Sequence, residues 1–297
     1  MKTRNIVLAS VAVLFCTASA CATTIAHTWV SGSGSDTNPC TFASPCLTFG
    51  GALANTSAYG IITVKDAGDF GAVTISKSVT IDGSNLGSII STSTNAIWIY
   101  NTVTEPINVV LRNLTLNGMV TGETGVWTTG AANVTIVNCL FENFISNGIG
   151  TYNNAAENFV VRDTVIVGGN YGFSSFLGSS PAFYASLQNV TIMGAEEYAV
   201  YNAIGVMEIT GSVLTQSITG VAAGNGATIS VASSMITANN TGVYSETGAK
   251  IRLDNNDIYD NTTAIGNGGG IVKTSTTNKV SGVIAIPAAD ISNSVTF

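Results

Sequence analysis

The stretch MEITGSVLTQSITGVAAGNGA (207–227), TISVASSMITANNTGVYSETGA (228–249), KIRLDNNDIYDNTTAIGNGGG (250–270) decides the fold of this chain. An apolar anchor, a second one five positions on, and a small-plus-apolar pair six positions later recur in register: Ile209, Leu214, Gly220-Val221; Val231, Ile236, Gly242-Val243; Leu253, Ile258, Ala264-Ile265. A 22-residue unit cannot bury its own apolar face, so it must stack on copies of itself.

Upstream, the first anchor recurs at Ile81, Leu111, Ile136, Val161 and Leu187, with the partner five residues later at Leu86, Leu116, Phe141, Ile166 and Ile192. The residue two before each anchor is apolar or small, and the residues between are mostly polar, which is the alternation of a strand with one buried face. Two residues after each anchor stand Gly83, Asn113, Asn138, Asp163, Asn189, Gly211, Ser233 and Asn255. Small and amide side chains at one corner, coil after coil, predict a turn with a ladder of side-chain hydrogen bonds. Residues 62–75 add a coil before these, and Val280 marks one after Ile258, giving about ten in all.

Composition agrees: only 9% of residues are charged, 32 are Gly and 5 are Pro, which suits many short strands and tight corners. At the N-terminus Lys2 and Arg4, the apolar run 6–15 and Ala18-Ser19-Ala20 have the pattern of a cleaved secretory signal in residues 1–20. A second reading makes Cys21 a lipid-anchored first residue. No later segment is long and apolar enough to span a bilayer as a helix, so the expected location is secreted or periplasmic. Loss of the leader leaves 8 basic against 17 acidic residues, a net charge of −9, which disfavours nucleic acid and anionic membranes as partners. In an oxidising compartment Cys40 and Cys46, flanking Pro45, are candidates for a disulfide.

The opening TWVSGSGSDTNPCTFASPCLTFGGALANT (28–56) runs from a strand-like alternation through a polar turn into helical spacing of Leu47, Phe49 and Leu53. Together with GIITVKDAGDFGAVTISKSVTIDG (60–83) it resembles the start of secreted right-handed parallel β-helix proteins of the pectate-lyase-like superfamily. The resemblance implies an all-β, single-domain right-handed parallel β-helix: a cap strand and helix in 21–60, coils in 61–286 and a tail or cap in 287–297.

It also implies tests for activity. Polygalacturonase-like members carry aspartates with a Gly-His-Gly, and alginate-epimerase-like members carry Asp-Pro-His-Glu; neither pattern occurs here. Lyase-like members use calcium and an arginine base. Arg112 and Arg162 share one outward position two coils apart, but their acidic companions, Asp163 and Glu142, fall short of the roughly six oxygens that calcium needs. Glu196-Glu197 and the group Asp254, Asp257, Asp260 are the other acidic candidates, and these read as solvated surface. His27, the one histidine, has no visible acid partner and no zinc spacing around it. No catalytic residue, metal site or cofactor is therefore assigned, calcium entering only under a lyase alternative.

Aromatic residues offer another route. The position after each small-plus-apolar pair runs Trp98, Trp127, Gly150, Ser174, Tyr201, Ala222, Tyr244, Gly266 and points outward, with Tyr171 and Tyr198 paired nearby. Exposed aromatic rows bind sugar rings or proteins; outward stacks that only stabilise the sheet are the competing reading. The expected function is thus a non-enzymatic exported protein binding a glycan or cell-surface partner along its side. A polysaccharide lyase or glycoside hydrolase with an atypical site, and a purely structural or adhesive surface protein, are the alternatives.

Overall fold

The computed structural model describes residues 25–152, 155–176 and 183–285, with the backbone of 291–292. The expected signal in residues 1–20, Cys21 and most of the expected C-terminal tail lie outside the described residues. The chain forms a right-handed parallel β-helix of about nine turns, in which ten strands make one sheet and twenty make a second, bent one. A representative coil gives Gly205–Thr210 and Val213–Thr215 to the bent sheet and Thr219–Ala223 to the ten-strand sheet.

Each coil lies on the next in the register that the 22-residue period demands. Ile81, Leu111, Ile136, Val161, Leu187, Ile209, Val231 and Leu253 are successive Cα partners up the stack. The second anchors do the same from Leu116 to Val280. Both columns are buried, apart from the partly buried Val280. Leu86 departs from this pattern: it is 48% exposed, and Ile89 stands in the column opposite Leu116 instead. The cause is the corner, where Ser84 and Asn85 are both left-handed and extra residues push the next inward position three places on.

The corner after the first anchor works as the small and amide residues predict. Asn113, Asn138, Asp163, Asn189, Gly211, Ser233 and Asn255 all have φ between 51° and 58°, a region that Asn, Asp and Gly tolerate best. Several of their side chains bond between neighbouring coils on the outside: Asn113 Nδ2 donates to Asp82, Asn138 to Asn113 and Asn189 to Asp163, at 2.7–2.9 Å. The next residue points inward. It is apolar or weakly polar early on (Leu114, Cys139, Thr164, Val190), then becomes Ser212, Ser234, Asn256 and Asn278.

A second, buried ladder therefore runs through the later coils. Asn256 Oδ1 accepts from Ser234 N, while its Nδ2 donates to the Val231 carbonyl and to Asn278 Oδ1. Asn239 and Asn261 repeat the device at the following corner. These amides close backbone groups that would otherwise be buried without a partner.

The N-terminal end is covered. Strand Ile25–Val30 pairs in parallel with Thr56–Val64, and helix Phe49–Asn55, N-capped by Thr48, buries Phe49, Ala52 and Leu53, with Phe49 against Phe70. Asp36 accepts from the backbone of Leu47 and Thr48, and Cys40 and Cys46 are joined by a disulfide. Covering the end coil blocks its open ladder from recruiting a foreign strand.

One interior group is out of keeping. Glu157 is fully buried; its Oε2 accepts from the Thr151 hydroxyl and its Oε1 has no partner. Burial pushes its carboxyl up to about 8, so the folded protein holds a proton that the unfolded chain releases near pH 4.5.

Two outcomes are expected. Asn256→Ala, which leaves the Ser234 N–H and the Val231 carbonyl unmet, should lower stability in urea denaturation by about 2–4 kcal/mol. Stability should also fall as pH rises from 4.5 toward 8 and level off above, and Glu157→Gln should remove that fall. Parent and variant would then agree at low pH and diverge in alkali, as a denaturation series across pH will show.

Candidate functional site: an aromatic face on the ten-strand sheet

The ten-strand sheet presents one face to the core and one to solvent. Its inward column, Val126, Ile149, Phe173, Val200, Val221, Val243 and Ile265, is wholly buried. The residues one place on are Cα partners in the order Thr74, Trp98, Trp127, Gly150, Ser174, Tyr201, Ala222, Tyr244, Gly266. Two places further, Tyr100, Thr129, Tyr152 and Phe176 form a second outward column. Tyr171 and Tyr198 are Cα partners in a third, three places before the first column.

The large rings do not stand upright; they lie on the small residues of the next coil. A Cβ added to Gly150 would come within 2.7 Å of the Trp127 ring, one on Gly224 within 2.8 Å of Tyr201 Oη, and one on Gly268 within 2.5 Å of Tyr244 Oη. The order of large and small residues in the first column is thus a packing requirement: each flattened ring needs a glycine, serine or alanine beyond it. Trp98 is followed by the bulky Trp127. Its ring instead turns onto Tyr100, with centroids 4.9 Å apart, donates its N–H to Thr129 Oγ1 and remains 38% exposed.

The rings that come together are Trp127, Phe176, Tyr171, Tyr198 and Tyr201. Phe176 bridges them, 6.3 Å from Trp127, 5.2 Å from Tyr171 edge-on and 6.2 Å from Tyr201. Tyr171 and Tyr198 are stacked at 5.7 Å with planes 9° apart, and Tyr198 lies 5.2 Å from Tyr201. Such offset and edge contacts hold the rings in place beyond their area burial. Phe176 was not singled out from the sequence, although the period of two along its strand from Ser174 marks it as outward. Tyr244 lies two coils beyond Tyr201, and Trp98 pairs on the opposite side of the cluster.

Acid borders this surface. Tyr171 Oη donates to Glu197 Oε2 at 2.6 Å, and burial followed by that bond pushes its phenol up. Burial and then the Glu246 carboxylate do the same for Tyr198 and Tyr201. The phenols consequently stay protonated and able to donate throughout ordinary pH. A cleft of about 370 Å³ is lined by Val120, Ile145, Gly168, Gly169, Gly194 and Glu196.

The other candidates are placed apart from this face. Arg112 is ion-paired with Asp82 at 2.9 Å, and Arg162 lies exposed in the same column of the bent sheet. Asp254 accepts from Ser275 and Thr277, Asp257 pairs with Lys279 at 3.2 Å, and Asp260 sits in a left-handed corner. His27 stacks on Trp29 in the cap and bonds Thr63 Oγ1. Among the described residues no three His, Cys, Asp or Glu side chains gather as a metal-binding group.

No protein-family profile matches the chain, and no curated protein resembles it in sequence. Solved structures match it in fold. A pectate lyase, Pel9A, superposes with a TM-score of 0.60 at 14% identity over 89% of this chain and 79% of that one. The A-module of the mannuronan C-5 epimerase AlgE4 from Azotobacter vinelandii gives 0.47 at 16% identity, over 75% and 80%. A bacteriophage CBA120 tailspike protein gives 0.36 at 12% identity, over 82% and 57%.

Gly150→Val should lift the Trp127 indole off the sheet, read as red-shifted tryptophan emission and greater access to iodide. Emission identical to that of the parent would mean that the ring does not rest on that glycine. The chain has the right-handed parallel β-helix fold that the pectate lyase Pel9A also has.

Proposed function

We propose that this is an exported, non-enzymatic protein that binds a glycan on the outer face of the ten-strand sheet. The observation that carries the reading is the continuous ring cluster Trp127, Phe176, Tyr171, Tyr198 and Tyr201, each ring partly exposed and fixed by its neighbours. Flat, pre-ordered rings offer apolar faces to the C–H side of a sugar and lose little freedom on binding. Tyrosine hydroxyls and the border carboxylates supply hydrogen-bond partners for sugar hydroxyls. Two further features favour binding over catalysis: Arg112 is already committed to Asp82, and Asp254 and Asp257 of the late coil are tied to separate partners. Export is supported by the leader pattern, and no helix among the described residues is long and apolar enough to cross a membrane.

Tyr198→Ala combined with Tyr201→Ala should reduce affinity for a glycan identified on an array by about tenfold or more, as the loss of two apolar ring contacts worth about 1 kcal/mol each requires. Undiminished binding by a folded double variant would move the site elsewhere.

A further inference from the structure

Charge is segregated around the solenoid. Six of the eight basic residues beyond the leader, Arg112, Arg162, Lys250, Arg252, Lys273 and Lys279, lie on strands of the bent sheet. The other two, Lys65 and Lys77, sit in connections of the first coil, where Lys65 stands over the Phe42 ring and Lys77 bonds the Thr56 carbonyl. Among the described residues, no arginine or lysine belongs to the ten-strand sheet. The ionisable acids at its ring cluster are Glu197, bonded to Tyr171, and Glu246, at the end of strand Thr241–Glu246. A carboxylate polymer is held by guanidinium and ammonium groups; here it would meet carboxylates instead.

Spacing adds a second constraint. Successive coils are about 4.8 Å apart, close to the advance of one residue in an extended sugar chain. Along the axis the face offers Trp127, then Tyr152, then Tyr171 with Phe176, then Tyr198 with Tyr201, and two coils later Tyr244. Building on the glycan-binding reading above, we propose that the ligand is an uncharged polysaccharide lying along the solenoid axis, about one sugar residue per coil, and that polyuronates are excluded by the acids bordering the rings.

The mature chain can be titrated by calorimetry, at low and high salt, with length series of neutral glucans, xylans and mannans, with polygalacturonate and alginate, and with deacetylated chitin. The expected result is binding of a neutral glycan whose affinity grows with length up to about six residues, one per coil from Trp127 to Tyr244. Binding should be insensitive to salt and should change Trp127 emission in the unmodified protein. Glu197→Gln with Glu246→Gln should narrow the preference for neutral over uronate polymers several-fold; an unchanged preference overturns the role of these acids. Salt-sensitive binding of a polyuronate or of the amino-sugar polymer in preference to neutral glycans overturns the inference and leaves the glycan-binding reading standing. Failure of every polymer to bind overturns both.

Discussion

The structure depends on vertical register. A single coil has too little apolar surface to hold itself together, and the backbone groups along its edges need partners above and below. Stacking in register satisfies both at once: Ile209 lies between Leu187 and Val231, and the parallel ladder joins the same three coils. Every other feature follows from that alignment, because any residue type repeated at one position becomes a column. Apolar columns make the core, amide columns close the corners, and aromatic columns make a face.

Amide columns show how one residue type serves two environments. On the outside, Asn113, Asn138 and Asn189 use the left-handed turn and trade hydrogen bonds between coils while remaining in water. One position later the side chain points inward, and there Asn256 and Asn261 meet backbone atoms deep in the stack. The inner ladder replaces the apolar filling of the earlier coils, where Leu114 and Phe144 occupy equivalent corners. The interior thus changes from aliphatic and aromatic packing to hydrogen-bonded packing along its length without altering the coil.

The aromatic face joins sheet stability to the recognition proposed for it. Rings that rest on Gly150, Gly224 and Gly268 shield the outer backbone, which accounts for the sheet-stabilising role that outward aromatic stacks can have. Resting flat also leaves their other faces available to a ligand. The two roles do not compete, since the glycine that lets a ring settle is what makes the platform level. On the proposed reading, the acids at its border and the confinement of basic residues to the other sheet and the first coil set which ligands the platform accepts.

The amino-acid sequence by itself determined the period, the inward and outward positions, the corner chemistry and the order of Trp98, Trp127, Tyr201 and Tyr244 along one column. These are local regularities, and parallel stacking turns equal spacing in the chain into adjacency in space. What only the tertiary structure decided depends on corner length and on side chains of different coils meeting. It put Leu86 outside and Ile89 inside, laid Trp127 toward Gly150, brought Phe176 between three other rings and buried Glu157 beside Thr151. A repeat pattern specifies where each Cβ points; the direction in which a ring leans, and whether a carboxyl finds a partner, is set by the neighbours it meets after the coil closes.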